Sequence, residues 1–402
     1  MTTAHPDTAV ALPAPYGRCP YDPPPAYGAG GPVGRAVLPD GARCWVVTGH
    51  AEVRAVLADD RFSADARTPG FPFLSAGQRR LATDRPSFVR LDDPEHARLR
   101  RTVSGDFAVR RVDAMRPGIQ RIVDDAVDRM TARGRSADLV ADVALPVPSL
   151  VICLMLGVPY EDHAYFQALS RTLLDNTAGS ERIADAHGEL MGYFAALAAR
   201  KAREPGDDIL SRLAARPDLG PEEVASLGFL LLVTGHESTA HMTALSVLAL
   251  LRGDGSAARR LRAEPGRLPG AVEELLRYLT VVHLGLGRAA TADVEVGGVR
   301  IRAGEGVVAM LSTANRDRSV FEGAGAAGPD ELDLGRDARR HLAFGFGVHR
   351  CLGHALARAE LQICLETLLR RLPGLRLAVP EAELRFGGSQ IVYGVEALPV
   401  GW

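Results

Sequence analysis

The chain has 402 residues, a net charge of −2, and apolar and charged fractions of 47% and 24%. That is enough length for a large core, and the charge balance leaves no broad basic surface for nucleic acid. Lys201 is the one lysine, which argues against Schiff-base chemistry and a phosphate-binding loop. The five cysteines (Cys19, Cys44, Cys153, Cys351, Cys364) contain no CxxC pair for zinc, and their odd, scattered number suits a reducing cytosol. The start of the chain has no basic segment followed by an apolar run, and no stretch reaches the roughly 18 uncharged apolar residues of a membrane span. The expectation is a cytoplasmic, monomeric protein without a membrane anchor.

Residues 1–35 are rich in Pro and Gly and read as an extended arm over the surface. A short β-like run, RCWVV, ends at Val47, and Val53, Val56 and Leu57 then recur at helical spacing. Periodicity fades from Ser63 to Arg90, where Gly70 to Leu74 form an apolar loop. Helical patterns follow at about 94–104, 111–132, 138–156, 162–176 and 182–203. A long one spans Pro221–Leu251 and starts on a proline whose missing N–H costs nothing in a first turn. Residues 269–280 are helical, 293–310 read as a hairpin, 322–350 are irregular, and a last helix runs from about Leu352 to Leu372. The fold class is mainly α with a minor β region, and residues 1–402 read as a single domain.

The sharpest signal is Phe344-Gly345-Phe346-Gly347-Val348-His349-Arg350-Cys351-Leu352-Gly353. A cysteine sits between a Gly-rich loop and an amphipathic helix whose free N–H groups favour thiolate over thiol. Flanking glycines let a flat group approach the backbone. An isolated free cysteine is ordinarily a buried structural residue; the loop around this one is what changes that reading. Its spacing, F-G-x-G-x-H-x-C-x-G, resembles the haem-binding loop of cytochromes P-450. The resemblance implies the cytochrome P-450 fold and heme b, with Cys351 as the iron ligand and Phe344, Gly345, His349 and Gly353 around the cofactor. A thiolate ligand favours O–O cleavage.

Thr234-Gly235-His236-Glu237-Ser238-Thr239 follows the apolar run Leu227–Val233 inside the long helix. Buried polar groups need partners, and on the residues alone a kink with satisfied hydroxyls is as good an account. The segment resembles the family's oxygen-binding A-G-x-E/D-T-T. That implies Glu237 as the catalytic acid and Ser238 as the alcohol, with Thr239 available beside it. Serine stands where the family usually has threonine. It keeps the hydroxyl but loses the methyl that restricts its rotamers, so oxygen activation is expected to survive with more leakage to peroxide.

Glu274-Leu275-Leu276-Arg277 places an acid and a base at i, i+3, although Glu273 is equally within reach of Arg277. The family's E-x-x-R register selects Glu274 and Arg277, with Arg336 as the third, structural member. His96 and Arg100 share a helical face, and basic groups suit carboxylates. By resemblance these two, Arg288 and His349 face the haem propionates.

Family position also implies a pocket drawn from Phe71–Leu74, Phe88, Val89, residues about 170–194, Leu231–Met242 (with Leu231, Val233 and Thr234), Val281–Leu286 (with Val282 and His283), Ile391 and Val392. These are mostly apolar and suit a hydrophobic small molecule. Gly323–Gly328 departs from the family as a Gly/Ala-rich loop. DDPEHARLRR, HLGLGRAA and FSADARTPGFPF are most similar to actinobacterial members acting on secondary metabolites and xenobiotics.

The implied reaction inserts one oxygen atom from O2 into a C–H bond or across a C=C bond, with protons relayed by Glu237, Ser238 and water. Electrons come from outside, ultimately from NAD(P)H through a ferredoxin reductase and an acidic ferredoxin. Arg98, Arg101, Arg110, Arg111, Arg339, Arg340 and Arg350 are candidates for the docking patch. Two other readings stay open: another haem-thiolate oxidation such as aryl coupling, and a haem-binding sensor or carrier without turnover.

Overall fold

The computed structural model describes residues 9–17, 19–75, 79–80, 82–83, 87–175, 177–322, 327–387 and 391–402. The chain divides into two units. The first takes the residues up to Leu99, a few around 177–180, and Glu273–Cys351; the second takes Arg100–Asp175, Glu181–Val272 and Leu352–Trp402.

The first unit carries a six-stranded sheet in the order Val10–Ala11, Val33–Val37, Arg43–Val47, Gly306–Ala309, Leu286–Ala290, Phe62–Ser63. The aromatic and β-branched second half of Arg43–Val47 pairs parallel with Gly306–Ala309, Trp45 lying opposite Val307. Val53, Val56 and Leu57 of the His50–Ala58 helix bury against Val294, Val296, Ile301 and Leu342. Through Leu342 this core reaches the start of the cysteine loop. The predicted hairpin is shorter than 293–310. Val294–Val296 pairs with Val299–Ile301 across Gly297 and Gly298, both at positive φ as a two-residue turn requires. Gly306–Ala309 leaves the hairpin and joins the large sheet.

The segment read as a surface arm is partly core. Leu12, Ala14, Tyr21 and Tyr27 are buried, Val10–Ala11 forms an edge strand, and the Tyr27 hydroxyl accepts from Ala14 N–H. Its Pro and Gly content marks irregular backbone, but the aromatic side chains between them supply the burial.

The second unit is helical. Its axis is Pro221–Leu251, a 31-residue helix. Pro221 sits at the first turn, and Glu223 Oε2 accepts the Gly220 N–H at 2.9 Å. Apolar on all sides, the helix has to be buried. It packs on Pro146–Leu156, while His354–Arg371 packs on Val109–Ala132. The predicted helix 138–156 is broken. Val140–Ala144 forms a π-helical turn, with Leu145 N–H bonded to Val140 C=O, and the α-helix restarts at Pro146. Proline has no N–H to give and its ring crowds the carbonyl four residues back, so the preceding turn widens. Two short helices, Ile209–Ala214 and Ser256–Ala263, lacked enough length for a periodic signal.

Candidate active site

The cysteine loop is held in the first unit by backbone shape. Gly345 and Gly347 have φ of 69° and 73°, and a Cβ at Gly347 would overlap the carbonyl of Leu57. Only glycine fits there, so the loop lies directly on the end of the His50–Ala58 helix. Cys351 N–H then donates to Phe344 C=O at 2.8 Å, closing the loop on itself. The following helix starts at His354 with Gly353 at its cap, so the thiol lies just outside the helix N-terminus. Among the cysteines, Cys351 is exposed, whereas Cys44, Cys153 and Cys364 are buried. Burial pushes the thiols of Cys44 and Cys153 up to about 12. Those two stay protonated.

Basic side chains gather beside this loop. The His96 and His349 rings lie 4.0 Å apart, and Phe88 is 6.1 Å from His96. His96 is buried; its Nδ1 meets Asp93 Oδ1 at 3.0 Å while its Nε2 has no hydrogen-bond partner. Arg288 is also buried, donating to the Gly287 carbonyl at 2.8 Å. Burial, and then the charge of Arg90, pull its guanidinium down to about 10. The nearby Asp92 carboxylate is taken up by Ser63 Oγ at 2.5 Å and Ala64 N–H at 2.8 Å. An orphaned imidazole nitrogen and buried arginine charge fit an anionic group such as a carboxylate. Arg90 was not singled out from the sequence, because FVR carries no spacing signal; its proximity to Arg288 appears only in the fold. Arg100 follows His96 by one turn and belongs to the second unit.

Arg277 is fully buried. Its Nε and Nη2 donate to the two Glu274 oxygens at 2.7 and 2.8 Å, and Nη1 donates to the carbonyls of Asn315 and Pro329 at 2.8 and 2.7 Å. Glu274 also accepts from Asp333 N–H at 2.9 Å and Arg336 Nε at 3.3 Å. Arg336 donates to Gly328 and Phe321 carbonyls. Glu273, the alternative partner, meets His341 Nε2 at 3.1 Å instead. Asn315 receives Leu342 N–H at 2.7 Å, so the network ends on the residue that begins the cysteine loop. Residues 323–326 of the Gly/Ala-rich stretch lie outside the described residues.

In the second unit the long helix is buried from Leu227 to Leu251 except at Thr234, Gly235, Ser238 and His241. Thr234, Ser238 and His241 fall on successive turns of one face, so this window is a stripe of small and polar groups. Ser238 Oγ donates to the Thr234 carbonyl at 3.3 Å, and Thr234 Oγ1 to the Leu230 carbonyl at 2.7 Å. Thr239 is buried. Glu237 is buried between two imidazoles, with Oε2 3.5 Å from His241 Nε2 and Oε1 3.8 Å from His236 Nε2. Neither Glu237 Oε1 nor His236 Nε2 has a hydrogen-bond partner. Burial pushes the Glu237 carboxyl up, but His241, His236 and Arg171 more than offset this and hold it below the usual range. Burial lowers His236, and its Nδ1 is bonded to the Leu232 carbonyl at 2.7 Å. A neutral His236 therefore turns a lone pair toward Glu237 Oε1.

The remaining pocket candidates divide by burial. Leu231, Val233, Phe88 and Val392 are buried, Thr234 and Val89 are exposed, and Val282 and Ile391 are half-buried. His283 packs against Tyr16 with Nε2 near the Leu279 carbonyl. Phe71 is buried with Ala66 and Ala289. No helix among the described residues is long and apolar enough to cross a membrane.

Comparison with known proteins bears on these sites. Residues 267–374, which hold the Glu274 network and Cys351, match the model of the cytochrome P450 family. The chain is 58% identical to cytochrome P450-SU2 of Streptomyces griseolus, with all of both chains covered. It is 47% identical to pentalenic acid synthase of Streptomyces avermitilis, covering 99% of each. The crystal structure of GfsF superposes with a TM-score of 0.90 at 44% identity, covering 98% of this chain and 100% of that one.

Proposed function

The chain belongs to the cytochrome P450 family and is a monooxygenase that uses haem iron and O2, and from that premise we propose that Cys351 is the thiolate that holds the iron. The observation that carries this reading is the glycine-bounded loop that leaves Cys351 as the exposed cysteine. His96, His349 and Arg288 would hold the propionates, supported by the orphaned His96 nitrogen and the buried Arg288 charge. When bound, the haem supplies activation of O2 for transfer of one oxygen atom to substrate.

The work left to the protein is proton handling and positioning. Glu237 holds its proton site inside the helix, out of bulk water. Ser238 Oγ hangs from the Thr234 carbonyl by one long bond, so it is free to turn and to pass on a proton received from Glu237. Glu274, Arg277 and Arg336 keep the cysteine loop in register and take no part in the chemistry. Electrons are proposed to arrive from NAD(P)H through a ferredoxin and its reductase. Arg101, Arg110, Arg111, Arg339, Arg340 and Arg350 are exposed, although Arg339 already pairs with Asp337. The proposed substrate is a hydrophobic secondary metabolite or xenobiotic, oxidised by hydroxylation or epoxidation, in keeping with relatives such as pentalenic acid synthase.

The test is the absorbance spectrum of purified protein reduced with dithionite under carbon monoxide. A strongly red-shifted Soret band is expected for axial thiolate, and replacing Cys351 by His should remove it together with turnover. A wild-type band at the shorter wavelength of imidazole or neutral-thiol ligation would overturn the assignment.

A further inference from the structure

We propose that His241 is the group through which Glu237 exchanges protons with solvent, making it a positioning and proton-supplying residue of the relay. This rests on reading Glu237 as the relay acid. A buried acid that must be reloaded in every turnover needs a neighbour with one side toward water. The Glu237 side chain is 6% exposed and that of His236 0%, whereas His241 is 18% exposed and forms the outer end of the open window. His241 Nε2 stands 3.5 Å from Glu237 Oε2, a gap closed by a small rotation of either side chain.

The other neighbours fail on chemistry. Arg171, from the His163–Leu174 helix, contributes charge but does not release a proton at working pH. His236 has Nδ1 tied to the Leu232 carbonyl and no surface. Imidazole, unlike guanidinium, can give a proton from one ring nitrogen and take one at the other. The transfer is balanced: the His241 imidazolium gives its Nε2 proton to Glu237 Oε2 and becomes neutral imidazole, and solvent hydronium returns a proton to the ring and leaves as water.

The position of His241 is built from a second segment. The C-terminal stretch crosses the ring at Gly394, where a Cβ would overlap His241 Nδ1, Cγ and Cβ. The groups facing the pair are thus His236 on its own helix, Arg171 from the neighbouring helix, and the backbone at Gly394, which carries no charge.

The experiment uses the holoenzyme with a ferredoxin, its reductase, NADPH and a substrate chosen by spin-state shift. His241→Asn is expected to cut product per NADPH by about tenfold, a modest share of a general acid–base effect. Substrate KM should be little changed, the lost electrons should appear as peroxide, and the pH dependence of coupling should flatten. Gly394→Ala, which leaves every titratable group in place, should shift coupling in the same direction. A readout free of turnover is the thermal midpoint: the shifts of His241→Asn and Glu237→Gln should be non-additive in the double variant. Wild-type coupling and pH profile in His241→Asn, with Glu237→Gln impaired, would overturn the inference alone. Wild-type coupling in Glu237→Gln would instead overturn the reading beneath it.

Discussion

Glu274 and Glu237 are both buried carboxylates beside buried bases, yet their surroundings differ. Each Glu274 oxygen is filled, by Arg277, Arg336 and the Asp333 amide, and the donors that do not reach it are satisfied by carbonyls. Glu237 keeps Oε1 without a hydrogen bond and Oε2 at 3.5 Å from its partner. A saturated network has one low-energy arrangement and resists change; an unsaturated one has room for an added proton or water. On the function proposed above, the difference is that between scaffold and chemistry.

Breaking the saturated network should cost stability. Arg277→Ala leaves Glu274 charged and buried, and a loss of about 3–5 kcal/mol is expected, read by thermal or denaturant unfolding. Normal stability with poor coupling would break the comparison. Breaking the unsaturated cluster should do the reverse. Glu237→Gln is expected to slow product formation about 100-fold, the lower end for a general acid, with a smaller shift of the thermal midpoint than Arg277→Ala.

Acid sharpens the contrast from another side. Burial holds His283 down to about 4, so it is neutral when folded and charged when unfolded below pH 6.5. Its contribution is complete above pH 6.5 and is lost as pH falls toward 4, about 3 kcal/mol across that window. His283→Gln should flatten the acid limb of a Tm-against-pH curve. An unchanged limb would mean that other groups dominate acid unfolding. The smallest effect is expected at Ser238→Ala, where peroxide released per NADPH should rise a few-fold. Unaltered coupling would move the alcohol's role to Thr239 or water.

Much of this was legible in the residues. Pro221 and the caps around it mark the long helix to the residue, and the Phe344–Gly353 spacing marks the loop, because glycines at positive φ and a lone sulfur leave few other uses for such a pattern. Glu273 and Glu274 were indistinguishable by helical reach; burial and the fork geometry of Arg277 decide between them. The break at Pro146 was available from proline chemistry but was masked by the apolar period on either side. His241 and Arg90 carry no motif. Their importance comes from what folds against them, Glu237 and Gly394 in one case and Arg288 in the other.

The close approach of Gly394 to His241 has a practical side. Residues 391–394 become targets for reshaping substrate preference on the proposal, made by family resemblance, that Ile391 and Val392 line the pocket. A library that admits any side chain at 394 would press on the imidazole as well, so variants chosen for a new substrate would carry an unintended loss of electron economy. Holding position 394 as glycine while diversifying its neighbours would separate the two traits.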